Sequence, residues 1–155
     1  METKTNITER IKTFEDALDS LSTEHPMKRN WIALSSIQEL FAPNMVAYAK
    51  LCVIAAALNE EWELRWGSSQ IYYYPWFYIY SGYEFSQLPE SRQKELVLLG
   101  GGALYGAYCG LGYVSSYHSF SYSSASVGSR LAFRSAEIAK YCGQQFVTIW
   151  AEYLS

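Results

Sequence analysis

The sequence predicts an α+β fold: N-terminal helices, an antiparallel sheet of three or more strands, and one closing C-terminal helix. Three observations predict it. The first third carries apolar residues at helical spacing. The middle holds IYYYPWFYIY, Ile71–Tyr80, whose side chains alternate between two faces when written as a strand. The last twenty residues read as an amphipathic helix opened by Ser135. A chain of 155 residues fits a single domain, 1–155, and is long enough to bury a core without staples.

The elements follow in order. Ile7, Ile11, Phe14, Leu18 and Leu21 make one stripe of a helix over 7–21, with Asn6 as cap and Glu9 in a capping-box position. Residues 22–30 read as a loop broken at Pro26, and 31–41 as a shorter helix. Met45–Asn59 is dense in helix formers, with Asn44 as its cap. Leu51, Cys52, Ile54, Ala55 and Leu58 nearly surround its second half, which predicts the central buried helix.

On the 71–80 strand, Ile71, Tyr73, Pro75, Phe77 and Ile79 form an ordinary core face. Tyr72, Tyr74, Trp76, Tyr78 and Tyr80 form the other, and each carries a polar atom that needs a partner if buried, which suits a half-wet wall. Residues 81–95 read as a polar loop, with a helical turn at 89–95. Leu96–Val114 has no charge and is long enough to span a bilayer, but six of its nineteen residues are Gly, which favours a strand over 103–114. Ser115–Ser126 holds seven Ser and reads as a surface loop, with His118 alone in it. A third strand is expected at Val127–Arg134, with Leu131 and Phe133 on one side and Arg130 and Arg134 on the other.

Composition narrows the function. The formal charge of −3 lies wholly in residues 1–66, so no basic footprint for DNA or RNA is present. Three cysteines, Cys52, Cys109 and Cys142, stand far apart among apolar neighbours and read as buried free thiols in a cytoplasm. The N-terminus has no apolar run of the kind a signal peptide carries, and no membrane partner is expected. No hydrolase elbow, zinc, Walker or dinucleotide motif occurs, so no catalytic residue, metal site or cofactor is assigned. Glu60, Glu61 and Glu63 cluster without a His or Asp nearby and read as a solvated helix end.

A binding constellation is what is left. Tyr72, Tyr74, Trp76 and Tyr78 can stack on flat rings at about 1–3 kcal/mol each. Arg130 and Arg134 can grip phosphate, and Ser126 and Ser129 can donate hydrogen bonds. Association costs offset much of this, so a homo-oligomeric pocket is expected to supply enclosure. The competing reading packs the Tyr face on the last helix or on a sister subunit and leaves Arg130 and Arg134 solvated or paired with Glu137.

In YYYPWF, SVGSRLAFRSAEIAKYCGQQF and ITERIKTFEDAL the chain resembles a family of short accessory proteins of Bacteroidetes phages and prophages. The resemblance spans most of the chain and carries no catalytic residue with it. It implies a phage protein acting in the cytoplasm of the infected bacterial host. By analogy of context, it implies a non-catalytic sponge for an anionic nucleotide-like signal of bacterial immunity, such as a cyclic ADP-ribose or cyclic nucleotide. A virion or protein–protein interaction domain and a small nucleotide-acting enzyme are the alternatives.

Overall fold

The computed structural model describes residues 6–60, 62–63, 71–80, 82–95, 97–99, 109–120 and 131–154; the side chains of Trp76, Tyr78, Ile79, and of residues 94–99 and 109–120, lie outside that description. The α+β expectation is overturned: among the described residues the chain is mostly helical. Among the described residues the elements are α1 (Ile7–Arg10), α2 (Phe14–Ser20), α3 (Pro26–Ser35), a 3-10 turn (Gln38–Leu40), α4 (Pro43–Asn59), β1 (Ile71–Tyr80), α5 (Gly82–Gln87), α6 (Glu90–Glu95), β2 (Val97–Leu99), β3 (Cys109–Phe120), α7 (Ala136–Gln145) and α8 (Val147–Leu154). Among the described side chains, helices supply most of the buried core; from β1, Tyr72 is buried and Tyr73 and Phe77 pack at the margin of that core. The sequence of β3, CGLGYVSSYHSF, is mostly Gly, Ser and polar aromatics, with few large apolar residues.

The expected helix over 7–21 is two helices. Thr13 and Asp16 form a capping box, with Thr13 Oγ1 accepting the Asp16 N–H (3.1 Å) and the Asp16 carboxylate accepting the N–H groups of Thr13 (2.9 Å) and Lys12 (3.0 Å). That box starts a fresh helix two residues after Ile11 leaves helical geometry. Asn6 caps α1 through the Thr8 N–H. Pro26 does not break the chain but opens α3 as its first residue, where its missing N–H costs nothing. The expected 31–41 helix is therefore the end of α3 followed by the 3-10 turn.

α4 begins at Pro43, with Ala42 rather than Asn44 at the cap position, and runs through the centre of the core. Leu51, Val53, Ile54, Ala55 and Leu58 are fully buried, and α2, α3, α7 and α8 all pack on α4. At its flank the Phe14 and Trp31 rings meet edge-to-face at 4.9 Å, with the Lys50 ammonium 5.8 Å from each centroid. The closing helix expected from Ser135 is also two helices, α7 and α8. They part at Phe146, which sits outside helical geometry with its ring buried. Ser135 caps α7 by accepting the Ile138 N–H (3.2 Å).

The strands form a small antiparallel sheet of order β1-β3-β2. β3 covers residues expected as loop: Ser115 and Ser116 pair with Trp76 and Pro75, and His118 pairs with Tyr73. The ladder shifts register between Trp76 and Phe77. The third strand expected over 127–134 is not present in its described part. Leu131–Arg134 is irregular, and only Phe133 bridges Tyr73, through a reciprocal pair of N–H to C=O bonds at 2.9 and 2.7 Å. α7 lies between α4 and the β1–β3 ladder, with Gly143 buried on it. Among the described residues no helix is long and apolar enough to cross a membrane.

Candidate functional site

The site emerges where α4 ends. Asn59 is a buried polar residue, 6% exposed, and both ends of its amide are used. Its Nδ2 donates to the Ala132 carbonyl (2.8 Å) and its Oδ1 accepts the Arg134 N–H (3.1 Å), which pins the irregular segment beside β1. Glu60 follows with φ 56° and ψ −118°, the geometry of the first central residue of a type II′ turn, where Gly is the usual occupant. The Trp62 N–H closes that turn onto the Asn59 carbonyl at 3.0 Å. Such backbone costs a non-glycine residue on the order of 1–3 kcal/mol and persists only where its surroundings hold it.

Its carboxylate shows what holds it. Glu60 Oε1 accepts from Arg10 Nη2 and Oε2 from Arg134 Nη2, both at 2.8 Å. One carboxylate is shared by two guanidiniums from opposite ends of the chain, and all three side chains are between 30 and 43% exposed. Each pair is half-open to water, so its contribution is discounted to about 0.2–1 kcal/mol.

Beside this knot lies an open cleft of about 610 Å³ between the start of α1 and the face of α7, lined by Arg134, Ser135, Glu137, Lys140, Tyr141 and Gln144 from one side. Two bonds hold its walls together: Tyr141 Oη donates to the Ile11 carbonyl (2.6 Å) and Gln145 Nε2 to the Lys12 carbonyl (2.8 Å). Burial, then the nearby Asp16 carboxylate and Cys142, raise the Tyr141 phenol above its ordinary value, so it stays protonated and keeps donating.

Of the four residues expected as an aromatic wall, Tyr72 and Tyr74 are the two whose side chains are described. Tyr72 is only 3% exposed, so its ring is part of the interior, and Tyr74 stands beside it, half-buried, at 6.3 Å between centroids. The opposite face behaves as core where it is described: Pro75 is buried, Tyr73 packs on the helices, and the Phe77 ring lies 5.3 Å from that of Trp150. Ile71, expected in the core, is 42% exposed. Trp76 and Tyr78 are placed on β1 as backbone, while Ser126, Ser129 and Arg130 lie outside the described residues. Arg134 is the one expected ligand contact that the structure sets at a cavity, and its partner is Glu60 rather than Glu137.

Sequence reading assigned no role to Arg10, Asn59 or Lys140, and it read Glu60 as part of a solvated helix end; no local pattern signals a glutamate in glycine-like backbone. Cys52 and Cys142 are buried thiols outside any disulfide. Burial pushes Cys142 up to about 12. The Trp150 indole N–H pulls it weakly the other way, too loosely to count as a hydrogen bond, and that N–H has no acceptor among the described residues. Among those residues no three His, Cys, Asp or Glu side chains cluster as a metal site would require.

Comparison with protein-family models, with curated proteins and with solved structures finds no match.

Proposed function

We propose that this chain is a non-catalytic binding protein for a small anionic, nucleotide-like ligand, held in the cleft between α1 and α7 and sequestered in the cytoplasm of an infected bacterium. The observation that carries this reading is the convergence of Arg134, Lys140 and the Ser135-capped start of α7 on one cavity walled by Tyr141. Its volume, about 610 Å³, falls in the range of small-molecule sites. Arg134 supplies a fork matched to phosphate oxygens, Lys140 a second positive charge, and Tyr141 a flat ring. In this reading Tyr141 takes the stacking role expected of Tyr72, Tyr74, Trp76 and Tyr78. Titration calorimetry against linear and cyclic adenine nucleotides tests this. Binding that Arg134→Ala weakens tenfold or more supports the reading; silence across the panel at high micromolar protein overturns it.

A second reading is an interaction domain that assembles with further copies of itself. It is favoured by Ile32, Ile37, Leu40 and Met45, which are 54, 44, 76 and 52% exposed on the α3–α4 side. Light scattering separates the two readings: a stable oligomer dispersed by Leu40→Glu, with no nucleotide binding, favours the second.

A further inference from the structure

We propose that Arg10 and Arg134 together form a two-guanidinium receptor for an oxyanion, and that Glu60 is its built-in placeholder, yielding its position when the ligand's phosphate arrives. This rests on the anion-binding reading above and deepens it by naming the receptor and what guards it. The two guanidiniums come from α1 and from the segment before α7, yet each places an Nη2 at 2.8 Å from a different oxygen of one carboxylate. That arrangement fits a tetrahedral oxyanion as well as a carboxylate, since two of its oxygens can take the same two donors. The side chains remain 30–43% exposed, so an incoming anion can reach them without opening the core. Arg134 also lines the cleft, which joins the receptor to the proposed cavity.

Glu60 is suited to the part of a removable occupant. Its backbone sits at φ 56°, a position glycine takes freely, so the turn does not need a side chain there. What the glutamate adds at that position is its carboxylate, which offsets one of the two positive charges and occupies a donor of each arginine until a dianion competes for them. The other charged groups lining the cleft are Glu137 and Lys140.

The test uses inorganic pyrophosphate as the probe, with affinity read by calorimetry and folding by thermal melting. Glu60→Gly removes the carboxylate and suits the backbone, so it is expected to melt near the wild-type temperature. It should bind pyrophosphate about tenfold or more tightly than wild type, a free-energy gain of about 1.4 kcal/mol or more. Arg10→Ala in that background should abolish the gain. Glu63→Gln, which removes an exposed carboxylate three residues away, should leave the affinity unchanged. Should Glu60→Gly unfold, Glu60→Gln provides the same comparison.

Equal affinity in wild type and the Glu60 variant overturns the placeholder. If Arg134→Ala still weakens nucleotide binding in that case, the cleft reading stands without it. A gain of the same size in Glu63→Gln reduces the effect to net charge and overturns the proposal too. If no variant binds pyrophosphate and no nucleotide binds, both readings fall together.

Discussion

Asn59 accepts the backbone N–H of Arg134 through Oδ1 at 3.1 Å, across a sequence separation of 75 residues. With its Nδ2 bond to Ala132, it serves as a side-chain substitute for the strand pairing that the 131–134 segment lacks on that side. Asn59→Leu keeps the branched shape but leaves a part-buried N–H and a buried C=O without that side chain's bonds. The expected loss is about 2–4 kcal/mol, read as a lower urea midpoint at unchanged slope. A loss below 0.5 kcal/mol would show that water reaches both groups.

Phe133 is fully buried, and its backbone forms the bridge to Tyr73. Truncating it to alanine is expected to cost about 3–5 kcal/mol, since the helices around it cannot all close on the space. Chemical denaturation checks this, and Phe133→Leu should recover more than half of the loss.

The capping box at the start of α2 makes stability depend on acid. Backbone hydrogen bonds from Lys12 and Thr13 hold the Asp16 carboxyl below its ordinary 3.8. A native value depressed in this way gives a contribution that is complete above pH 3.8 and lost as the pH falls through the lower native value. Asp16→Asn should therefore flatten the acid limb of the stability profile. Thr13→Ala should cost about 1 kcal/mol near neutral pH, by thermal melting.

Cys142 is expected to resist alkylation. Its thiol, pushed up to about 12, has almost no thiolate at pH 8, and the group is sealed from solvent. Mass spectrometry of iodoacetamide-treated protein should find Cys142 unmodified in buffer and fully modified in guanidinium. Modification in buffer on the timescale of a free thiol would mean that α7 opens readily.

What the residues announced, and what they hid, divides along physical lines. α4 was legible because an apolar run on all sides of a helix has only one place to go, the centre. β1 was legible because aromatic and β-branched residues fill nine of its ten positions. The helix breaks were not. The stripe from Ile7 to Leu21 keeps its spacing through the interruption, and only the Thr13–Asp16 box betrays it. Pro26 and Ser135 each mark a helix start, yet Pro26 was read as a stop. β3 hid in Ser115–Phe120 because SSYHSF carries no apolar alternation to read. The placement of Arg134 at a charged edge was foreseeable, whereas its pairing with Glu60 depends on a long-range contact that no local spacing encodes. The weight given to the sheet was the larger error, for a strand can exist without anchoring the interior.

The Glu60 knot has a consequence for how the molecule comes together on the ribosome. Arg10 can meet Glu60 as soon as the first sixty residues emerge, but Asn59 and the second oxygen of Glu60 await a stretch made seventy-odd positions later. Until that stretch appears, the nascent end of α4 carries an amide with neither of its partners and a contorted turn with half its support. The N-terminal helices are thus expected to dock early and loosely, and to tighten only when the chain has been synthesised through Arg134.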